Sequence, residues 1–147
     1  MSFVIKICTT PESGQIMKEI ESAKVIKGKG IINDRYFEEN NDKDTQITLI
    51  ESENIDQFNE NSETNFEYID FRRNIITQGI KLNELIGKYI MIGSVKLKAH
   101  SLCHPCKYLQ EHLKQNNLVK NLLDKGGLRC EIISDGIIKV QDEIKIL

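Results

Sequence analysis

Two cysteines three residues apart, in Cys103-His104-Pro105-Cys106, are the residues whose types and spacing are best suited to chemistry. Pro105 biases His104 towards extended backbone, so this step reads as a loop with a helix beginning after it, from Lys107. A thiol at the start of a helix meets unpaired backbone N–H groups that favour thiolate over thiol. Cys106 is therefore expected to be the more reactive of the pair, with His104 and Lys107 adding positive character. Its thiolate would suit attack on sulfur or ligation of a soft metal. Spacing alone admits equally a pair of half-buried cysteines acting as small hydrophobes. A thioredoxin-like disulfide belongs to a βαβ context, whereas this motif follows a hairpin pattern. Structural zinc would need four ligands, and the further candidates His100, His104 and His112 come without a second C-x-x-C. Cys8 and Cys130 each lie in a strand-like run, where a buried, inert thiol is expected.

A second constellation is Arg72-Arg73-Asn74, which follows Asp70. Its plain reading is a surface ion pair of little worth. Its chemical reading is recognition of an anionic, ring-bearing ligand: arginine offers a planar fork for phosphate, and the Asn74 amide can donate to or accept from a heterocycle. Asp34-Arg35 reads from its chemistry as a structural pair that fixes the glycine-bearing loop of residues 28–37.

The elements that must position these groups read mainly as short strands. Phe3, Ile5 and Ile7 alternate as one face of a first strand, and residues 23–27 form a second beyond a loop at 9–15. Residues 38–45 are polar enough for a mobile surface segment, and Gln46-Ile47-Thr48-Leu49-Ile50 has strong strand composition. Ser52 is placed to cap a short helix over residues 53–61, with Ile55 and Phe58 on its apolar face. Leu82-Asn83-Glu84-Leu85-Ile86 reads as one helical turn closed by Gly87. Gly93-Ser94 joins residues 89–92 and 95–99 as a two-residue hairpin. Leu109, Leu113, Val119, Leu122 and Leu123 have helical spacing with a break near Asn116-Asn117, and residues 128–133, 137–140 and 144–147 read as closing strands. Such a pattern fits a closed or nearly closed, mostly antiparallel β architecture with a few inserted helices.

The chain has 147 residues, so a single domain spanning 1–147 is expected. With 39% hydrophobic and 29% charged residues, nine glycines and two prolines, disordered and collagen-like classes are excluded. A net charge of -2 and scattered lysines supply no basic field for nucleic acid. Lys6 interrupts the first apolar run, which argues against a secretion signal, and no stretch approaches the roughly 20 apolar residues of a membrane span. The expected setting is the cytoplasm, with reduced thiols.

Taken in order, several segments resemble the MOSC domain family, named for the C-terminal part of molybdenum cofactor sulfurases. They are Gly30-Ile31-Ile32-Asn33-Asp34-Arg35-Tyr36, Gln46-Ile47-Thr48-Leu49-Ile50-Glu51, Arg72-Arg73-Asn74-Ile75-Ile76-Thr77 with Gly79, and Leu82-Asn83-Glu84-Leu85-Ile86-Gly87. Ile92-Gly93-Ser94-Val95-Lys96-Leu97, Leu102-Cys103-His104-Pro105-Cys106 and Gly127-Leu128-Arg129 complete the set. The resemblance implies a β-barrel with one essential cysteine facing a pocket, by position Cys106, and marks Cys103 as typical only of a subgroup. In the family that cysteine is proposed to ligate the molybdenum of a pterin cofactor, or to carry sulfur as a persulfide received from a pyridoxal-phosphate-dependent cysteine desulfurase. By the same resemblance Arg72 and Asn74 would contact the cofactor's phosphate and pterin, with Arg35 and Arg129 as lesser candidates for the basic pocket. A small reductase component would need a separate electron-transfer protein. Two positions depart from the family pattern: Asn33 and Gln141 stand where glycine is usual.

Overall fold

Short apolar runs punctuated by turn residues build a strongly bent sheet. The computed structural model describes residues 1–104, 107–115 and 117–147. In chain order they form β1 (Phe3–Thr9), β2 (Lys18–Ile20), β3 (Ser22–Ile26), β4 (Gly30–Ile31), β5 (Ile47–Glu51) and α1 (Ser52–Ser62). A 3-10 turn (Tyr68–Phe71), β6 (Ile75–Gln78), a second 3-10 turn (Leu82–Leu85), β7 (Tyr89–Ile92) and β8 (Val95–Leu102) follow. The chain closes with α2 (Lys107–His112), α3 (Leu118–Asn121), β9 (Leu128–Ile132), β10 (Gly136–Lys139) and β11 (Ile144–Ile146).

One eight-stranded sheet has the order β11-β7-β8-β9-β5-β6-β1-β2, and a three-stranded sheet the order β10-β3-β4. Every pairing is antiparallel except β5 with β6, whose crossover carries α1. The large sheet curls back on itself: Val4 N–H donates to the Asp142 carbonyl, Gln141 N–H to that of Val4 and Ile144 N–H to that of Ser2. These bonds tie the segment before β11 to β1, so the β-barrel expectation holds as a curled half-barrel of mostly antiparallel strands with three short helices.

Two apolar cores result. Val4, Ile7, Ile47, Leu49, Ile75, Leu97, Leu128 and Cys130 share the inside of the curl. Cys8, Ile50 and Ile76 face outward beneath Ile55, Phe58, Leu109, Leu113, Leu118 and Leu122 of the helical segments. Strands covered on both faces explain the unbroken run Ile47-Thr48-Leu49-Ile50, which shows no alternation.

Three local expectations change. A register shift between Val4 and Lys6 turns β1, so Val4 and Ile7, rather than Phe3, Ile5 and Ile7, share the inner core. Ser52 is the first residue of α1 instead of its cap: Glu51 occupies the cap position, and the Ser52 hydroxyl donates to Glu53. In the last helical segment Leu118 is buried while Leu123 is exposed, because the break before α3 resets the helical phase.

Candidate functional site

Three of the chain's four arginines line one cleft of about 410 Å³, together with Ser13, Gly14, Tyr36 and Leu109. Each guanidinium is aimed by backbone geometry that the surrounding elements impose. The 3-10 turn before β6 is anchored from within by Phe71, whose ring meets Phe58 edge-on at 5.7 Å and Phe66 at 6.2 Å. A reciprocal capping box between Glu67 and Asp70 holds its start. It ends at Arg72, which takes left-handed backbone at φ 62°. That conformation costs a non-glycine residue about 1–2 kcal/mol and persists only where neighbours enforce it. Here the enforcer is Arg35, whose Nη2 donates to the Arg72 carbonyl at 2.8 Å.

Arg35 is itself seated by Asp34. The Asp34 carboxylate accepts from Arg35 Nη1 at 3.2 Å and from Thr10 N–H at 3.2 Å, joining the turn after β4 to the end of β1. The Arg35 guanidinium lies 4.2 Å from the Tyr36 ring centroid. The expectation of a structural Asp34–Arg35 pair therefore holds, and Arg35 also reaches the cleft wall.

The side chains of Arg72 and Arg73 diverge across the cleft. Arg72, 8% exposed, donates through Nη1 to the Gln15 carbonyl at 2.7 Å, pinning the loop that leaves β1. Arg73, 7% exposed, donates through Nε to the Gly126 carbonyl at 2.8 Å and through Nη2 to the His104 carbonyl at 3.4 Å. It thus ties together the loop entering β9 and the loop that carries the paired cysteines. The sequence placed Arg73 in the anion-binding constellation with Arg72 and Asn74, but the family resemblance passed it over. Its signal was present only as a second arginine beside Arg72, because its two carbonyl partners are 31 and 53 residues away.

Asn74 lies behind this wall. It is fully buried; its Oδ1 accepts from Thr48 N–H at 3.1 Å and from the Thr48 hydroxyl at 3.2 Å, and its Nδ2 donates to the Cys8 carbonyl at 3.2 Å. The amide laces β5 and β1 to the start of β6, and Asn74 is not among the residues lining the cleft. Arg129 stands in β9 opposite Thr48 and Ser101, on the same face as this bridge and also outside the lining.

Cys103 ends the β8 side of the cysteine loop, 3% exposed, with its N–H donating to the Gly127 carbonyl at 2.7 Å. Gly127 takes φ 111°, and a Cβ there would collide with the Leu49 carbonyl, so glycine is required where β9 approaches β5. Pro105 and Cys106 lie outside the described residues. The neighbouring His104 carbonyl is held by Arg73, and Leu109 of α2 lines the cleft, so both flanks of Cys106 in sequence adjoin the arginine wall. Cys8 and Cys130 are buried as expected: burial, reinforced by nearby Glu19, pushes the Cys8 thiol up to about 12, and burial raises that of Cys130 further still. Both are neutral thiols at physiological pH.

No carboxylate lines the cleft among the described residues, although the whole chain is net acidic. Buried guanidiniums held by carbonyls form a preorganised site for a planar or tetrahedral oxyanion. Among the described residues no group of three or more His, Cys, Asp and Glu could hold a metal ion. No helix among them is long and apolar enough to cross a membrane.

The family model described as MOSC domain matches residues 34–145, and the chain belongs to that family, known for molybdenum-cofactor binding. Among solved structures it resembles the YuaD protein of Bacillus subtilis, with a TM-score of 0.84, 15% identity, and coverage of 99% of this chain and 96% of that one. YiiM of Geobacillus stearothermophilus is similar at a TM-score of 0.82 and 15% identity, covering 100% of this chain and 75% of that one. YiiM of Escherichia coli follows at 0.69 and 15% identity, with 100% and 70% covered. No curated protein matches the chain.

Proposed function

We propose that the arginine-lined cleft binds the molybdenum cofactor and that the Cys106 thiolate ligates its metal. The observation that carries this reading is the convergence of Arg35, Arg72 and Arg73 on one carboxylate-free cleft beside the cysteine loop. Arg72 and Arg73 would hold the cofactor's phosphate, with Arg35 behind them. Asn74 would act by positioning, since its amide braces the strand that presents both arginines. Arg129, outside the cleft lining, would add positive potential at longer range.

The donor set fits this group better than it fits a bare cation. A bare cation needs several protein ligands, and no such cluster is found among the described residues. A metal that arrives inside its own organic cofactor asks for one soft protein ligand, which a thiolate supplies. When bound, the cofactor supplies two-electron redox chemistry, and a small reductase of this kind draws its electrons from a separate protein.

Cys103 favours a second reading, sulfur carriage, because it is a buried free thiol three residues from Cys106. There Cys106 would accept a persulfide from a cysteine desulfurase. The Cys103 thiolate would then attack the inner sulfur, forming a Cys103–Cys106 disulfide and releasing hydrosulfide. The arginine cleft has no task in that sequence, which ranks it second.

The test is metal analysis of protein made in a host that synthesises the cofactor. Stoichiometric molybdenum, lost in Cys106→Ser and reduced in Arg72→Ala, supports cofactor binding. Absence of molybdenum despite cofactor supply, together with a one-sulfur mass gain on Cys106 after incubation with a desulfurase, would favour the second reading instead.

A further inference from the structure

The three helices cover the β1, β5 and β6 side of the large sheet, and the outer face of its β7–β8 hairpin is solvated. Register sets what that face carries. Tyr89 opposes Lys98 and Met91 opposes Lys96 across the hairpin, and Lys145 of β11 opposes Met91 on the other side. Their inward neighbours Ile90, Ile92, Val95 and Leu97 fill the core, so these polar residues and Tyr89 point outward.

Two ammonium groups converge on one ring: Lys96 Nζ lies 4.7 Å from the Tyr89 centroid and Lys98 Nζ 5.4 Å. Tyr89 is 39% exposed between them. The carboxylates facing this area are Glu131, which opposes Lys98 and is hydrogen-bonded to His100 Nε2 at 2.8 Å, and Glu143, 4.0 Å from Lys145. In a chain of net charge -2, this face therefore sets two lysines around an exposed aromatic ring, with Lys145 beside Met91 at its edge.

We propose that this face, centred on Tyr89, Lys96 and Lys98, docks an acidic protein surface. Charge complementarity supplies long-range attraction, and an exposed tyrosine held by cations is the kind of residue that anchors an interface core. Lysine point charges suit scattered carboxylates, whereas a nucleic-acid groove would want a longer basic track and further aromatic platforms. The location also bears on the site: β8 runs from this patch to the cysteine loop, and the four residue steps from Lys98 to Leu102 span about 13 Å at strand rise. A partner seated here would lie alongside the strand that leads to the candidate site. The proposal does not depend on which cofactor that site holds.

The test titrates the full isotopically labelled chain with poly-L-glutamate at low ionic strength and follows backbone amide shifts. Shifts confined to β7, β8 and β11, weakening as salt rises past about 0.1 M where the screening length is about 10 Å, are expected. The Lys96→Gln/Lys98→Gln variant should raise Kd by about tenfold or more, and Lys145→Glu, whose side chain is 67% exposed and free of core packing, by a smaller factor. Lys43→Glu, in the loop between β4 and β5 and outside this face, should bind as the unmodified chain does. Unchanged affinity in both the paired-glutamine and Lys145→Glu variants, or shifts elsewhere on the molecule, would overturn the proposal. So would tighter binding of a single-stranded oligonucleotide or an anionic lipid vesicle than of poly-L-glutamate.

Discussion

Arg73 offers the sharpest test of how the cleft is held. Its Nε bond to the Gly126 carbonyl, at 2.8 Å, is charge-assisted and buried, whereas the 3.4 Å contact to His104 is at the long limit of hydrogen bonding. Arg73→Met keeps the packed stem, removes both bonds and leaves the carbonyl of buried Gly126 without its donor. A charged-group hydrogen bond contributes about 1.5–3 kcal/mol, so the expected loss is about 2–3 kcal/mol. At about 3 °C per kcal/mol for a chain of this size, Tm should fall by about 6–9 °C. Arg73→Lys keeps the charge but cannot reproduce the planar fork, and should recover about half of that loss. Urea denaturation measures the stability, and the rise of Tm with added phosphate measures the cleft. At ten times its Kd a bound anion stabilises by about 1.4 kcal/mol. That rise should shrink in Arg73→Met and survive in Arg73→Lys. Arg129→Met, which removes no side-chain hydrogen bond among the described residues, should change stability by no more than about 0.5 kcal/mol. An Arg73→Met protein that melts with the unmodified chain, or that keeps the full response to phosphate, would refute the assigned role.

Asn74→Ala deletes three buried hydrogen bonds and should cost about 3–5 kcal/mol by urea denaturation, a larger loss than any single cleft arginine produces. Glu51→Gln tests a linkage: burial, reinforced by Glu53, raises the Glu51 carboxyl above its ordinary value of 4.5, so the folded chain holds that proton more tightly than the unfolded one. The carboxyl's contribution is fully present below pH 4.5 and lost as pH rises through the raised value. The glutamine variant should therefore melt higher at pH 7, with the gap closing towards pH 4. Gln141 takes φ 78° with an exposed side chain, so Gln141→Gly should raise stability by about 0.5–1 kcal/mol in the same denaturation assay.

Much of the fold was legible because local chemistry and tertiary structure agree. The Gly93-Ser94 hairpin, the turn closed by Gly87 and the closing strands all stand where the pattern placed them, since each rests on residues adjacent in sequence. The register shift in β1 was not legible, because a single extra residue leaves the apolar composition unchanged while exchanging which side chains face inward. The two departures from the family pattern proved informative in another way. Asn33 at φ 71° and Gln141 at φ 78° both adopt left-handed backbone, the physical reason glycine is usual there. At the site, the types of Arg72, Arg73 and Asn74 announced an anion-binding role and the family resemblance added Arg35, but the division of labour among Arg72, Arg73 and Asn74 was not legible. It depends on Gln15, His104, Gly126 and Cys8, distant carbonyls that no spacing rule connects to them.

The proposed function requires a thiolate from Cys106 to meet a metal whose cofactor would be held by the arginine wall. X-ray absorption at the molybdenum edge, on protein isolated from a cofactor-producing host, addresses that claim directly. It predicts a metal shell that loses one sulfur neighbour in Cys106→Ser and keeps it in Cys103→Ser. A shell identical in the unmodified and Cys106→Ser proteins would contradict it.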